Sequence, residues 1–249
     1  MARPSKNSKL YTPGQEALFP LSRSKVELFQ QCRRCFYLDR RLGISRPPGF
    51  PFSLNSAVDA LLKKEFDVHR ENATPHPLMT AAGIDAVPFQ HPELEIWRSN
   101  FKGILIPHAA SGFELFGAVD DIWQERGTGR LLVVDYKATA KDTEVSLDAE
   151  WQDGYKRQVE FYQWLLRQRG FEVSPTAWFV YVNGCKDRPG FDAKLEFRIS
   201  LLPHEGSTDW IEETVLEARR VLDQERAPAR DPECPYCSYA ARESKVGLI

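Results

Sequence analysis

The chain has 249 residues, of which 42% are hydrophobic and 27% are charged, with 15 Gly and 17 Pro. This composition is typical of a globular protein and excludes disordered, collagen-like and disulfide-stapled classes. The formal net charge of -2 does not by itself indicate a nucleic-acid binder. The charge is uneven, however, because residues 1–46 carry ten Lys/Arg against three Asp/Glu, which predicts a basic face beside an acidic body.

No stretch approaches the roughly 18 to 20 consecutive apolar residues of a membrane-spanning helix, and no secretory signal is recognisable. We therefore expect a cytoplasmic protein with no membrane partner. Four of the five cysteines form two C-x-x-C pairs, Cys32/Cys35 and Cys234/Cys237, and Cys185 stands alone. In a reducing compartment this pattern indicates a metal or a cluster rather than disulfides. Spacing alone leaves Zn²⁺ and an iron–sulfur cluster open.

The pattern of apolar residues and turn signals predicts alternating helices and strands. Residues 1–22 lack periodicity and are expected to be an extended leader. The first helix is predicted from Ser24, where Ser24 and Glu27 have capping-box spacing, to Gly43. The later elements are, in chain order, helices over 53–69 and 93–101, strands over 113–124 and 131–136, a helix over 148–169, strands over 175–182 and 195–201, and a helix over 209–224. The predicted class is α/β, with a central mixed sheet flanked by helices.

Two acidic residues and a lysine lie on the predicted hairpin of strands 113–124 and 131–136. Because strand side chains alternate, Asp135 and Lys137 share one face and Tyr136 lies on the other. With the turn centred between Gly127 and Thr128, Asp120 pairs with Asp135, and their carboxylates are about 5 Å apart. A register shifted by one residue would instead present Asp121.

Two carboxylates this close repel each other unless a cation lies between them, which favours bound Mg²⁺ or Mn²⁺. Lys137 would then orient an attacking water or hold the charge that develops on a phosphate during hydrolysis. The alternative is that Asp135 and Lys137 form a surface ion pair at a strand end. Gln158 adds a further polar residue, since it lies on the core-facing stripe of the 148–169 helix, where an unpaired amide costs roughly 1 to 3 kcal/mol.

Three short motifs occur in one order: Gly117-Ala118-Val119-Asp120, Val133-Val134-Asp135-Tyr136-Lys137, and Gln158-x-x-x-Tyr162. Together they resemble the PD-(D/E)XK nuclease superfamily, and specifically its RecB-like branch, which includes CRISPR-associated RecB-like exonucleases and the AddB nuclease domain. The resemblance implies a restriction-endonuclease-like core within a single domain over residues 23–249. Val119 stands where the superfamily's name has proline.

The resemblance also implies roles for individual residues. Asp120, Asp135 and the backbone carbonyl of Tyr136 would be metal ligands, and Lys137 would be the catalytic lysine. Gln158 and Tyr162 would contact the nucleic acid or support the site. Asp59 stands where the family has a metal-binding histidine, so it is either a substitute ligand or a solvent-facing helix residue.

The stretch Cys32-Arg33-Arg34-Cys35-Phe36-Tyr37-Leu38 is similar to the C-P-R-x-F-Y-L stretch of RecB-like nucleases. There one N-terminal and three C-terminal cysteines hold a 4Fe-4S cluster. Here a two-plus-two arrangement of Cys32, Cys35, Cys234 and Cys237 replaces it, in a lobe formed by residues 24–42 and 228–240. The resemblance favours 4Fe-4S, with Zn²⁺ as the alternative.

Four arginines on or near the first helix, Arg33, Arg34, Arg40 and Arg41, would contact DNA phosphates in a nuclease. The expected function is metal-dependent hydrolysis of DNA, single-stranded or at duplex ends, in DNA repair, recombination or CRISPR-type processing. A helicase, recombination or CRISPR-associated protein is the expected partner. The alternatives are a non-catalytic nucleic-acid-binding or assembly module and a zinc protein with an accidental motif match.

Overall fold

The structure is a computed structural model that describes residues 10–49 and 53–245, so residues 1–9 of the expected leader lie outside it. In chain order the elements are β1 (Phe19–Ser22), α1 (Arg23–Gln31), α2 (Arg33–Leu42), α3 (Ser53–Glu71), α4 (Pro77–Ala81), β2 (Ala86–Pro88), α5 (Leu94–Trp97), β3 (Ile104–His108), β4 (Phe113–Gly117), β5 (Asp121–Glu125), β6 (Leu131–Thr139), a 3-10 helix (Glu150–Gln152), α6 (Asp153–Gln168), β7 (Thr176–Gly184), β8 (Phe197–Glu205), α7 (Trp210–Asp223) and α8 (Pro235–Lys245). None of these helices has the length and apolarity to cross a membrane.

The chain divides into two compact units. The described parts of Met1–Phe50, Leu105–Phe116 and Asp209–Ile249 form the smaller unit, and those of Pro51–Ile104 and Gly117–Thr208 form the larger one. Strands β1, β4 and β3 form a three-stranded sheet in that order, and β2, β5, β6, β7 and β8 form a five-stranded sheet. The α/β class with a mixed sheet and flanking helices is therefore confirmed.

Strand β6 is the centre of the five-stranded sheet because its Leu- and Val-rich first half is buried on both faces. It pairs antiparallel with β5 and parallel with β7. Asp121 lies opposite Val134 and Gln124 opposite Leu131, which is the register expected from a turn centred between Gly127 and Thr128. The predicted hairpin register is therefore confirmed.

One face of this sheet packs against α3. Phe66 is fully buried, and its ring lies 5.4 Å from that of Trp123 and 5.8 Å from that of Tyr136. Burying one such side chain stabilises the fold by about 1.5 to 3 kcal/mol. Since side chains alternate along β6, Lys137 points to the opposite face, where α6 lies.

The predicted continuous strand over 113–124 is wrong. β4 ends at Gly117 and β5 begins at Asp121, and the two strands belong to different sheets. Between them the Val119 N–H donates to the Trp97 carbonyl at 3.1 Å instead of to a strand partner. Gly103, at φ +68°, permits this path, because a Cβ there would lie 2.4 Å from the Gly117 carbonyl oxygen.

The predicted single helix from Ser24 to Gly43 is also wrong. Cys32 adopts an extended conformation (φ -168°, ψ 110°) that separates α1 from α2, and the N-cap of α1 is Ser22, whose side chain makes no capping hydrogen bond. The extended Cys32 turns its Sγ toward the backbone N–H of Cys35, which donates to it at 3.4 Å. The end of α2 at Gly43, with φ 71°, agrees with the prediction.

Part of the expected leader is ordered structure. Phe19–Ser22 form β1, which pairs in parallel with β4, Phe19 lying opposite Phe113. Both rings are essentially buried, so this strand contributes to the core of the smaller unit. Sequence periodicity missed it because a four-residue strand with a proline gives almost no alternation signal.

Asp121 is the most completely satisfied buried charge of the larger unit. It is fully buried, and its Oδ1 accepts hydrogen bonds from Arg70 Nη2 at 2.6 Å and Arg98 Nη2 at 2.8 Å. The Tyr136 hydroxyl donates to its Oδ2 at 2.8 Å. Asp67 shares the two arginines, at 2.9 Å from Arg70 and 2.8 Å from Arg98. This cluster ties α3 to the start of β5.

Removing Asp121 leaves two buried guanidinium groups without their shared carboxylate. We expect Asp121→Ala to lower the free energy of unfolding by about 3 to 5 kcal/mol, measured by urea titration of the tryptophan fluorescence. Asp187→Ala removes an ion pair whose side chains are 57% and 59% exposed, and it is the matched control, with an expected loss below about 1 kcal/mol. Equal losses in the two variants would contradict a structural role for the cluster.

Candidate active site and metal-binding cysteines

The predicted carboxylate and lysine constellation forms where β5 begins and β6 nears its end. Asp120 immediately precedes β5, and its Oδ2 accepts a hydrogen bond from the Tyr136 backbone N–H at 2.9 Å. This contact places the Asp120 carboxylate beside the strand that carries Asp135 and Lys137. Asp120, Asp135 and Lys137 thus come together, while Asp121 joins the arginine cluster instead.

Asp135 is fully buried, and its Oδ1 accepts no hydrogen bond from the described part of the chain. Its charge is opposed by Lys137, whose Nζ forms an ion pair with Oδ2. A buried carboxylate ordinarily has several hydrogen-bond donors, because desolvation of the charged form is costly. Asp135 therefore has coordination capacity that the protein's own side chains do not fill.

Lys137 is the cation of the site. Burial works to lower its pKa, but the carboxylates of Asp135 and Asp120 outweigh burial and hold the pKa above its ordinary value. Its Nζ also lies 4.4 Å from the centre of the Tyr155 ring, in a cation–π contact. Lys137 therefore stays protonated and can stabilise negative charge, but it is not suited to accept a proton.

Helix α6 holds this lysine from the other side. Gln158 Oε1 accepts a hydrogen bond from Lys137 Nζ at 3.4 Å, and Gln158 Nε2 donates to the Tyr162 hydroxyl at 3.1 Å. The four-residue spacing of Gln158 and Tyr162 puts them on one face of the helix. The structure thus connects the Gln-x-x-x-Tyr motif to the D-x-K motif through a chain of hydrogen bonds.

Asp59 lies on α3 near this group, and Lys63, which belongs to none of the sequence motifs, lies beside it. Lys63 Nζ is 2.9 Å from Asp59 Oδ2 and 3.9 Å from Asp120 Oδ1. Among the described residues, only the four cysteines bring one possible ligand atom from each residue within 4.8 Å of the others. Asp59, Asp120 and Asp135 do not meet this distance. The spacing of Asp59 and Lys63, one helical turn apart, was the available signal for their ion pair.

Lys137 and Lys63 compensate the charge of the acidic group only in part. Burial, followed by the charge of Asp135, raises the pKa of Asp120 to about 6. Burial, followed by the charge of Asp120, also raises the pKa of Asp59. The possible metal ligands are hard carboxylate oxygens, and Asp135 Oδ1 makes no hydrogen bond within the described residues. This chemistry fits Mg²⁺ or Mn²⁺.

The four predicted cysteine ligands come together in the smaller unit. Their Sγ atoms all lie within 4.8 Å of one another, and all four residues are buried. Cys32 Sγ is 3.7 Å from Cys237 Sγ, and Cys35 Sγ is 3.7 Å from Cys234 Sγ. Cys185 belongs to the larger unit and is not a member. The four thiols form a site that could bind a metal.

The four arginines predicted to contact DNA also make contacts within the smaller unit. Arg33 pairs with Glu217 at 3.1 Å, and Arg40 forms an ion pair with Asp39. The guanidinium groups of Arg34 and Arg41 each donate to a backbone carbonyl at 2.7 Å. Arg33 keeps 60% of its side chain exposed, whereas Arg40 keeps 13%. Of the two, Arg33 is better placed to meet a phosphate, and DNA contact by these arginines stays a prediction.

Asp120 supplies a test of the electrostatics of the site. Its folded pKa of about 6, against an ordinary value of 3.8, penalises folding once the group ionises. The penalty is absent below about pH 4 and complete above about pH 7. Asp120→Asn cannot ionise, so it should raise the free energy of unfolding at about pH 8, in chelator, by about 1 to 2 kcal/mol. The rise in the pKa of Asp120 corresponds to about 3 kcal/mol. The expected range is lower because solvent screens this partly exposed side chain.

The measurement is urea unfolding of both proteins at about pH 4 and about pH 8, where the gain from Asp120→Asn should appear only at the higher pH. Asp85→Asn changes an aspartate that is 70% exposed, and it serves as control. A stability loss in Asp120→Asn at about pH 8 would contradict the unfavourable burial of this carboxylate.

The comparisons with known proteins agree with this geometry. The family model described as the PD-(D/E)XK nuclease superfamily matches residues 54–242, about three quarters of the chain. No curated protein was found to match the chain. No solved structure was found to match it either. The matched range includes Asp59, the Asp120 and Asp135 pair, Lys137 and the Gln158 motif. The chain belongs to the PD-(D/E)XK nuclease superfamily.

Proposed function

We propose that this protein is a metal-dependent nuclease that hydrolyses the phosphodiester bonds of DNA. The observation that carries the proposal is the buried Asp135 next to Asp120. Its Oδ1 accepts no hydrogen bond from the described residues, and its Oδ2 is paired with a protonated Lys137. A cation-binding acidic pair beside a fixed positive charge is the arrangement that stabilises a phosphoryl group under attack.

Asp120 and Asp135 would hold Mg²⁺ or Mn²⁺, with the backbone carbonyl of Tyr136 and with Asp59 as further oxygen ligands. Such an ion, when bound, polarises the phosphate and lowers the pKa of a coordinated water. The protein's own groups hold these side chains in position. The Tyr136 N–H orients the Asp120 carboxylate, and the buried backbone of β6 holds Asp135 and Lys137 on one face.

Lys137 would bind a non-bridging phosphate oxygen and stabilise the charge that develops there during hydrolysis. Its raised pKa keeps it cationic, so the proton released by the attacking water goes to solvent or to another base rather than to this lysine. Gln158 fixes the position of the ammonium group, and Tyr162 anchors Gln158. Gln158 and Tyr162 therefore act through Lys137.

Superfamily membership and the RecB-like motifs support DNA as the substrate and exonuclease or endonuclease action as the reaction. We place the activity in DNA repair, recombination or CRISPR-type processing, with a helicase, recombination or CRISPR-associated protein as partner. The RecB-like resemblance supports this placement, through the D-x-K and Gln-x-x-x-Tyr motifs that lie together at the site.

A non-catalytic nucleic-acid-binding or assembly module is the second candidate, and Lys63 favours it. Its ammonium group lies near both Asp59 and Asp120, where it supplies a built-in positive charge to the acidic group. A wild-type protein that binds DNA but cleaves neither single-stranded nor duplex DNA, with either Mg²⁺ or Mn²⁺, would favour this candidate.

The decisive experiment is cleavage of end-labelled single-stranded and duplex DNA by the wild type, Lys137→Ala and Asp120→Asn. We expect cleavage that requires Mg²⁺ or Mn²⁺ and that falls by at least about 100-fold in each variant, because each loses a charge at the reacting phosphate. The rate at saturating DNA separates this effect from weakened binding.

The matched controls are Lys102→Ala and Asp85→Asn, which change exposed residues of the same types and in the same unit. Both should cleave at the wild-type rate. Unchanged cleavage by Lys137→Ala would refute the assigned role of the D-x-K lysine, and metal-independent cleavage would refute the proposed mechanism.

A further inference from the structure

We propose that Cys32, Cys35, Cys234 and Cys237 bind a single zinc ion rather than an iron–sulfur cluster. The proposal concerns the smaller unit and does not depend on nuclease activity. The distances between the sulfur atoms support it. The two cross pairs lie at 3.7 Å, and all four Sγ atoms lie within 4.8 Å of one another.

These distances distinguish the metal centres that four cysteines can hold. One tetrahedral ion with Zn–S bonds of about 2.3 Å separates its thiolate sulfurs by about 3.8 Å. A 4Fe-4S cluster binds each thiolate to a different iron, which separates the sulfurs by roughly 6 Å. A 2Fe-2S cluster separates thiolates on different irons by roughly 5.5 Å or more. The observed spacing therefore fits one ion and does not fit the 4Fe-4S cluster that the resemblance implies.

The backbone around both pairs suits thiolate ligands of a metal ion. Cys32 is the N-cap of α2 and Cys35 lies in its first turn, while Cys234 directly precedes α8 and Cys237 lies in its first turn. Each pair therefore stands at a helix N-terminus, where the helix dipole stabilises negative thiolate charge. The three-residue spacing within each pair is typical of structural zinc sites.

A compensating cation completes the site. Four thiolates around Zn²⁺ carry a net charge of about -2, and the buried site needs positive charge nearby. Arg46 Nη2 donates to Cys234 Sγ at 3.5 Å, and its guanidinium group stacks on Tyr236 at 4.5 Å. Arg46 thus compensates part of the charge of a zinc tetrathiolate.

The test is the metal content of the full-length protein, purified without oxygen from cells supplied with iron and cysteine. We expect about one zinc per chain, little iron, no acid-labile sulfide and no visible absorption. Replacing the metal with Co²⁺ should produce the visible bands of a tetrahedral thiolate site, a readout that needs no variant to fold. Cys185→Ser should retain its zinc, whereas Cys234→Ser should lose most of it.

Three results would overturn the proposal. About four irons with about four sulfides per chain would establish a 4Fe-4S cluster. One iron without sulfide would establish a mononuclear iron site, and a chain without metal would refute the site altogether.

A separate observation on the larger unit leads to a second inference, which rests on the proposed function. Trp151 is 58% exposed, and its ring packs edge-on against Tyr155 at 5.5 Å. Lys141 Nζ lies 5.1 Å from the centre of the Trp151 ring, and Lys137 Nζ lies 4.4 Å from the centre of the Tyr155 ring. Two adjacent aromatic rings, with a lysine at each end, thus lead from the candidate catalytic lysine to the surface.

The position of Lys141 in this row is fixed by its backbone. The Lys141 N–H donates to Asn183 Oδ1 at 2.8 Å, and Asn183 Nδ2 donates to the Lys141 carbonyl at 3.1 Å. An exposed ring flanked by cations matches unpaired nucleic acid, because bases stack on aromatic faces while phosphates contact lysines. We infer that Trp151 stacks on an unpaired base next to the scissile phosphate, so that the site binds single-stranded DNA.

The test measures binding of fluorescein-labelled oligothymidine and of a duplex of equal length, in chelator, by fluorescence anisotropy. Loss of one stacked base costs about 1 to 3 kcal/mol, so Trp151→Ala should weaken single-strand binding by about 5- to 100-fold and leave duplex binding unchanged. Trp151→Phe should retain most of the affinity. Phe101→Ala, which removes a side chain that is 97% exposed, is the control and should bind as the wild type does.

Wild-type single-strand affinity in Trp151→Ala, equal loss of single-strand and duplex binding, or no measurable binding by the wild type would each overturn this inference. Cleavage reports on the proposed function separately. If the wild type cleaves DNA with metal but Trp151→Ala binds single strands normally, the proposed nuclease activity stands and the stacking platform does not. Weakened single-strand binding by Trp151→Ala, with no cleavage by the wild type, supports the stacking platform and removes the proposed nuclease activity.

Discussion

The complete burial of Asp121 is the constraint on which the candidate active site depends. Arg70 and Arg98 draw this carboxylate to the inside of the unit at the first residue of β5. Its neighbour Asp120 then faces the other way, where it meets the backbone of β6 beside Asp135. Two adjacent aspartates thus serve different purposes, because one has its charge neutralised and the other does not.

The larger unit treats its two fully buried carboxylates in opposite ways. Asp121 accepts hydrogen bonds from two guanidinium groups, a hydroxyl and a backbone N–H. Asp135 Oδ1 accepts none from the described residues, and Oδ2 has the Lys137 ammonium group as its ion-pair partner. Proteins tolerate such incomplete compensation where function requires it, since a fully satisfied carboxylate has no capacity left for an ion. The contrast between these two residues supports the proposed position of the active site.

Much of the site could be predicted from the sequence because it rests on strand geometry. The turn at Gly127-Thr128 determined the register, and alternation placed Asp135 and Lys137 on one face. The break at Cys32 could not be predicted, because Cys32 leaves the helix through contacts with residues about 200 positions away. Helical periodicity also does not reveal which stripe of α3 meets the sheet, since Leu54 and Leu61, seven residues apart on one stripe, are 56% and 63% exposed. The roles of all these site residues stay predictions, including those of Asp59, Asp120, Asp135, Lys137, Gln158 and Tyr162.

The ligands of the cysteine site have a consequence for the order in which the protein is completed during synthesis. Cys32 and Cys35 leave the ribosome about 200 residues before Cys234 and Cys237, so two of the four thiols wait until α8 has emerged. The larger unit is built from the intervening chain and has its own core, so it is able to fold during that interval. Binding of a metal by all four cysteines would therefore be a late event, and free thiols of the early pair would have to stay reduced until then.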